Sequence, residues 1–202
     1  MLIVLPLIAF SVVRWYQGSY NPLPVFGKTT TDNNGKIIQH QVSSFTMMNQ
    51  DNQIYSSDIL KNKIVITNFF FTACGSVCPK MMSHVKKVQD AFADDTSIAI
   101  ISFTVDPKRD TPDRLNKYAY HYNINKKQWN LLTGDKREIY KLARNSFYLT
   151  ASDGDGGDND FIHSEQVILI DKHQRIRGYY DGTDDKAMND LQNDIKKLEY
   201  EK

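Results

Sequence analysis

This chain has almost no charge imbalance, no extended apolar stretch and only two cysteines. Its 202 residues carry 25 Lys and Arg against 24 Asp and Glu, a net charge of +1. Bulk charge therefore offers no argument for nucleic acid or for an acidic partner. No repeat of solenoid type is visible, which excludes a stacked array. The apolar, uncharged run at residues 1–13 (MLIVLPLIAFSVV) is shorter than the roughly 17–25 residues that cross a bilayer as a helix. It also lacks the basic start and small-residue cleavage site of a secretory signal. Trp15 and Tyr16 follow it, an aromatic pair of the kind found at membrane interfaces. Residues 1–16 are accordingly read as a membrane anchor, with part of it possible upstream, 17–27 as a linker, and 28–202 as one globular domain. Arg14 alone, by the positive-inside rule, argues for a cytoplasmic domain.

The two cysteines, Cys74 and Cys78, sit together in Phe69-Phe70-Phe71-Thr72-Ala73-Cys74-Gly75-Ser76-Val77-Cys78-Pro79-Lys80. Before them, residues 64–71 form a β-branched and aromatic run, the pattern of a buried central strand. Gly75 and Ser76 mark a turn. Pro79 suits the first position of a helix, where its missing N–H costs nothing, so Cys78 is the expected N-cap. Met81, Met82, Val85, Val88, Gln89 and Phe92 then repeat at helical spacing. Amide donors at a helix N-terminus favour negative charge, so the thiolates of both Cys74 and Cys78 are expected to be stabilised. Such a pair can close a disulfide or hold a soft metal ion.

The rest of the chain predicts an α/β fold. Short strands are expected near 25–30 and 36–47 around a hairpin turn at 32–36. Residues 97–106 are a second buried strand, followed by a helix with Thr111 as N-cap and Pro112 as first residue. A third strand covers 128–132. Asp135 and Glu138 form a capping-box pattern for the next helix. Residues 166–171 and 175–180 read as a closing hairpin, and 184–199 as a final amphipathic helix. This order, with cysteines at the end of the first central strand, is the thioredoxin-like arrangement: a central mixed sheet flanked by helices, here with an N-terminal hairpin extension. Reactive groups belong in the crevice at the carboxyl ends of such strands.

Oxidoreductases of that fold normally carry a cis-proline in the loop before the strand at 166–171. All six prolines of this chain lie at or before position 112, so that element is absent. His163 stands in this loop instead. An imidazole beside two thiolates makes a donor set suited to copper or zinc. The other histidines, His40, His84, His121 and His173, fall on predicted turns or polar helix faces and are expected to be solvated. Residues 153–160 (DGDGGDND) fail the EF-hand pattern, with Asp158 where its glycine belongs and Ser164 where its glutamate belongs. They read as a flexible acidic loop that lets His163 move. Asp106 and Asp110 flank a tight turn and are read as caps rather than ligands.

The blocks Thr72-Ala73-Cys74-Gly75-Ser76-Val77-Cys78-Pro79, Val105-Asp106-Pro107-Lys108-Arg109-Asp110-Thr111-Pro112, Leu132-Thr133-Gly134 and Ile162-His163-Ser164 resemble the Sco/SenC proteins of cytochrome c oxidase assembly, over about residues 23–198. The resemblance implies a membrane-anchored domain on the non-cytoplasmic side, against the weak argument from Arg14. It implies copper bound through Cys74, Cys78 and His163, and delivery to the dinuclear copper centre of the oxidase. The receiving subunit is then the main partner, with other copper chaperones or thioredoxin-like reductants as further ones. A thiol–disulfide reductase role for the Cys74–Cys78 pair is also implied. Two other classes stay open on the residues themselves. A thiol–disulfide oxidoreductase without copper needs only the cysteines, although the missing cis-proline and the extra residue over Cys-x-x-Cys weigh against it. A thiol peroxidase is loosely suggested by Phe71-Thr72-Ala73-Cys74 and would need an arginine, Arg109 or Arg144, beside the thiol.

Overall fold

The computed structural model describes residues 22–32, 34–149 and 164–201. The proposed anchor, the acidic loop and His163 lie outside them, as does the boundary between anchor and linker. The two apolar runs form β5 (Ile64–Phe70) and β6 (Ile98–Thr104), buried along their whole length. They pair in parallel, Ile64 opposite Ile98 and Phe70 opposite Thr104. A strand covered on both faces has no polar side to show, hence the unbroken apolar sequence. β7 (Trp129–Thr133) adds in parallel to β6, while β8 (Gln166–Ile170) pairs antiparallel with the other edge of β5 and β9 (Ile176–Asp181) with β8.

β3 (Thr46–Asn49) and β4 (Ile54–Ser56) complete one mixed sheet of order β4-β3-β7-β6-β5-β8-β9. β4 is an edge strand too short to declare itself by periodicity. The N-terminal hairpin is smaller than its sequence suggested: β1 (Thr30–Thr31) and β2 (Ile37–Ile38) form a separate two-stranded ribbon. Its turn is where the residues placed it. Asp32 N–H donates to the Lys36 carbonyl, and Gly35 takes a positive φ of 78°, which glycine adopts without a Cβ penalty.

Helices α1 (Val77–Ala91), α2 (Pro112–His121) and α4 (Asp185–Tyr200) cover one face of the sheet. α3 (Lys136–Lys141), which runs on into a π-helical turn over Leu142–Ser146, covers the other. Thr111 stands at the N-cap position before Pro112 at the head of α2, without a side-chain capping bond, and the Asp135 side chain accepts from the Glu138 N–H. Side chains alternate along β5, with Ile64, Ile66 and Phe70 toward α1 and Val65 and Phe69 toward α3. Asn68 lies within the first layer. It accepts a hydrogen bond from Ser102 Oγ at 2.6 Å, and Ser102 Oγ accepts from the Trp129 indole at 2.9 Å. Within a core this dense in apolar side chains, that chain of bonds is what makes the buried polar groups tolerable.

Candidate dithiol and metal site

β5 ends at Phe70, and the chain turns through residues 71–76 before α1 begins at Val77, with Ser76 at the N-cap position. Cys78 is thus the second helical residue, not the cap, and Pro79 the third. The first turn has no internal partner for any of its N–H groups, so proline is accepted at the third position as well as the first. This shift has chemical consequences. The Cys78 N–H is one of those unclaimed donors and points at Cys74 Sγ, 3.4 Å away.

The two sulfurs differ. Both cysteines are unpaired thiols, Cys74 half-buried and Cys78 buried at 6% exposure. Partial burial works against ionising Cys74, but hydrogen bonds from the Ser76, Cys78 and Val77 amides and from the Cys78 thiol outweigh it and hold Cys74 below the usual thiol range. Burial pushes Cys78 up to about 12, helped by its hydrogen bond to Cys74 and the charge there. The expectation that both thiolates are stabilised is therefore corrected: only Cys74 is, because both sulfurs compete for one set of amide donors and Cys78 lies inside the core.

The loop carrying Cys74 is tied to the end of β6. Asp110 is completely buried. Its carboxylate accepts from Thr72 N–H at 3.0 Å, Thr72 Oγ1 at 2.5 Å and Thr104 Oγ1 at 2.6 Å. Arg114 Nε donates to Thr72 Oγ1 at 2.6 Å and lies 3.7 Å from Asp110 Oδ1. Asp110 does not cap α2 with its side chain, as its place before Thr111-Pro112 suggested, but holds the residue two before Cys74. The hint in the sequence was a carboxylate closing a turn between two predicted buried elements; its partner thirty-eight residues upstream had no local signature.

A cleft of about 200 Å³ opens beside the pair, lined among others by Phe70, Phe71, Cys74, Cys78, Ser164 and Glu165. Ser164 and Glu165 directly follow His163, which itself lies outside the described residues. Among the described residues no third His, Cys, Asp or Glu joins the cysteines in a metal-holding group. Tyr118 packs below them, stacked on Phe70 with ring centroids 5.3 Å apart. Burial raises its phenol, with further contributions from Tyr122 and the two cysteines. Arg144, one of the arginines weighed for a peroxidase, lies over the Tyr140 ring on the other face of the sheet, and Arg109 lies 3.5 Å from Asp106.

Two histidines depart from expectation. His84 is buried on α1, its Nδ1 2.8 Å from the Gly182 carbonyl and its Nε2 3.2 Å from Asp185. His40 is half-buried, with Nε2 2.8 Å from the Ser146 carbonyl and Nδ1 3.0 Å from the Tyr148 hydroxyl. Both positions looked polar because their partners come from distant segments. His121 and His173 are exposed as expected.

The chain resembles known proteins along most of its length. A SCO1 protein homolog of Bacillus subtilis (strain 168) is 32% identical over 161 residues, covering 79% of this chain and 83% of that protein. The structure of BsSco, reported with a disulfide switch and as a member of the Sco family of cytochrome c oxidase assembly proteins, is 32% identical. It superposes with a TM-score of 0.68 over 81% of this chain and 95% of that one. The structure of Bradyrhizobium japonicum ScoI with copper bound is 25% identical, with a TM-score of 0.57 over 76% of this chain and 98% of that one. The family model for SCO1/SenC matches residues 34–198, from the turn of the first hairpin through both cysteines to the last helix, and this chain belongs to that family.

Proposed function

We propose that this chain binds one copper ion through Cys74, Cys78 and His163 and delivers it to the dinuclear copper site of cytochrome c oxidase during assembly. The observation that carries the reading is the pair of adjacent unpaired sulfurs at the mouth of a cleft, one of them a stabilised thiolate. Soft sulfur donors suit Cu(I), and an added imidazole suits Cu(II) as well. The copper bound to B. japonicum ScoI and the assembly role given to BsSco's family support the same assignment. Residues 1–16 anchor the domain to a membrane, on the non-cytoplasmic side. Copper is cargo here, so the site must hold it firmly yet release it to sulfur ligands of the receiving subunit.

The test is stoichiometry. Reduced protein is expected to take up one Cu(I), and Cys74→Ser or Cys78→Ser to lose tight binding, because each replaces a thiolate by a hard, protonated oxygen. Full copper retention by either variant overturns the assignment. His163→Ala is expected to lose the thiolate-to-Cu(II) charge-transfer band while keeping weaker Cu(I) binding through two sulfurs. An unchanged Cu(II) spectrum removes His163 from the site.

The unequal thiols favour a second reading, thiol–disulfide reduction of the receiving cysteines. The Cys74 thiolate attacks a partner disulfide and one partner thiolate leaves. Cys78, giving up its proton, then displaces the second. Two electrons pass to the partner and Cys74–Cys78 becomes the disulfide. A peroxidase reading has no such support, since Arg109 lies beside Asp106 and Arg144 is on the far face of the sheet.

A further inference from the structure

On the other side of Thr72 from the cysteine cleft lies an open groove along α2, lined among others by Thr72, Arg109, Asp113, Arg114, Lys117, Tyr118 and His121. Thr72 is two residues from Cys74, and the Tyr118 ring stacks on Phe70, which lines the cysteine cleft. Groove and cleft therefore share one wall. The groove surface sets three cationic side chains against one carboxylate, Asp113. Of the two carboxylates behind it, Asp110 is fully buried and Asp106 lies 3.5 Å from Arg109. Counting those two, cations and carboxylates balance; what is local is the layering, with the arginines toward solvent and Asp106 and Asp110 beneath them.

Arg114 is held from behind. Its Nε is taken by Thr72 Oγ1, which in turn donates to the buried Asp110 carboxylate, and this leaves the terminal nitrogens of the guanidinium for a ligand. A guanidinium fixed in this way loses little freedom on gripping a carboxylate with both terminal donors. Arg114 and Lys117 are one helical turn apart on α2, while Arg109 comes from the preceding turn. The charges are thus strung along the groove rather than converging on one point. That spacing matches carboxylates at successive positions of an extended chain better than it matches a single phosphate.

We propose that the Arg109–Arg114–Lys117 groove is the docking surface for an acidic segment of the partner protein whose sulfurs meet Cys74 and Cys78. The proposal rests on the dithiol chemistry above for the identity of that partner. Its consequence is specificity: a segment seated over Thr72 presents its neighbouring residues to Cys74, and complementary charge steers the encounter.

The experiment separates the groove from the thiols. The probe is a short, cysteine-free, fluorescein-labelled peptide of alternating Glu and Ser, read by fluorescence anisotropy against the full chain in neutral detergent. A Lys–Ser peptide of the same length is the control. Expected results are binding of the Glu peptide alone and its loss in 1 M salt, where the screening length is about 3 Å. The double variant Arg109→Glu/Lys117→Glu is expected to weaken it by about tenfold or more. Both side chains are exposed, so losing the Arg109–Asp106 pair should lower the thermal melt only slightly and leave the fold intact. Asp113→Lys, which removes the groove's own carboxylate, is expected to tighten it. Equal binding of the two peptides, binding that survives the double variant, or displacement of the Glu peptide by equimolar inorganic phosphate overturns the proposal. Alkylation of Cys74 by neutral iodoacetamide in the unmodified chain tests the dithiol reading by itself, since the probe contains no sulfur.

Discussion

At Cys74 and Cys78 the same helix terminus has opposite effects on two sulfurs, and burial decides which one ionises. Cys74 collects the amide donors of residues 76–78 and is held below the usual thiol range, while Cys78 is pushed up to about 12. Alkylation of the reduced apo protein followed by mass spectrometry is therefore expected to modify Cys74 first, with a midpoint below that of a free thiol. Cys78 should stay unmodified up to strongly alkaline pH unless the fold opens. Equal modification of both sulfurs near neutral pH would contradict this assignment. Asp110 makes a second residue-level prediction. Asn can keep its carbonyl oxygen toward Thr72 N–H and the Thr104 hydroxyl, which share one carboxylate oxygen. Its N–H₂ then faces the Thr72 hydroxyl, which donates to the other oxygen and already accepts from Arg114. Leaving one such group unsatisfied in the interior costs about 1–3 kcal/mol. Asp110→Asn should therefore lower the melting temperature and, by loosening the Cys74 loop, raise the midpoint of Cys74 alkylation. A drop in stability with no change in that midpoint would make Asp110 a fold residue only. The cysteine pair was legible in the sequence because strand, turn and helix signals surround it within a dozen residues. The inequality of the pair and the role of Asp110 were not, since burial and a partner in a distant segment leave no local trace.

The elements that carry the pair were legible for a related reason. β5, β6, α1, α2 and α4 each have either an unbroken apolar run or a helical apolar stripe. β4, three residues on an edge, and the π-helical turn after α3 have neither, and only tertiary packing defines them. The turn between β9 and α4 shows how such packing constrains one residue. Gly182 N–H donates to the Glu165 carbonyl at 2.7 Å, and the Gly182 carbonyl meets His84 of α1. A Cβ there would lie 2.6 Å from Met81 Cγ and 2.9 Å from the Glu165 carbonyl oxygen. Met81 can swing aside; the backbone oxygen cannot without moving the residues that line the cleft. Gly182→Ala is expected to cost about 1–3 kcal/mol, as overpacking of a filled site does, and a melt within experimental error of the unmodified protein would show that the turn relaxes freely.

Across the molecule, the two ends of the described chain are fastened together away from the cleft. Arg177 on β9, only 3% exposed, lies 3.0 Å from Asp171 Oδ2 and 2.6 Å from Glu201 Oε2, and donates to the carbonyls of Leu23 and Pro24. The Leu23 N–H in turn donates to Glu201, and Phe26 N–H to the Ile176 carbonyl. Residues 22–26, read from the sequence as the end of a linker, are thus held against the sheet edge by a cation that the sequence placed only in a hairpin strand. Burial alone would raise the Asp171 carboxyl, but bonds from Arg175 and Arg177 outweigh it and hold the group below the usual carboxylate range. A carboxyl depressed in the folded state stabilises the fold above its unfolded value, about 3.9, and this contribution is lost as pH falls through the folded value. Stability should accordingly hold on this account down to about pH 4 and decline below it. Replacing Arg177 with Met leaves Glu201 partly buried without its cation, while Asp171 keeps Arg175. Breaking a buried ion pair in this way costs about 3–5 kcal/mol, and at about 2–4 °C per kcal/mol for a chain of this size the melting temperature should fall by about 6–20 °C. Adding Glu201→Gln to Arg177→Met removes the stranded charge and should recover part of that loss. Recovery would assign the cost to uncompensated charge, whereas a double variant as unstable as Arg177→Met alone would assign it to the lost hydrogen bonds that Arg177 gives to Leu23 and Pro24.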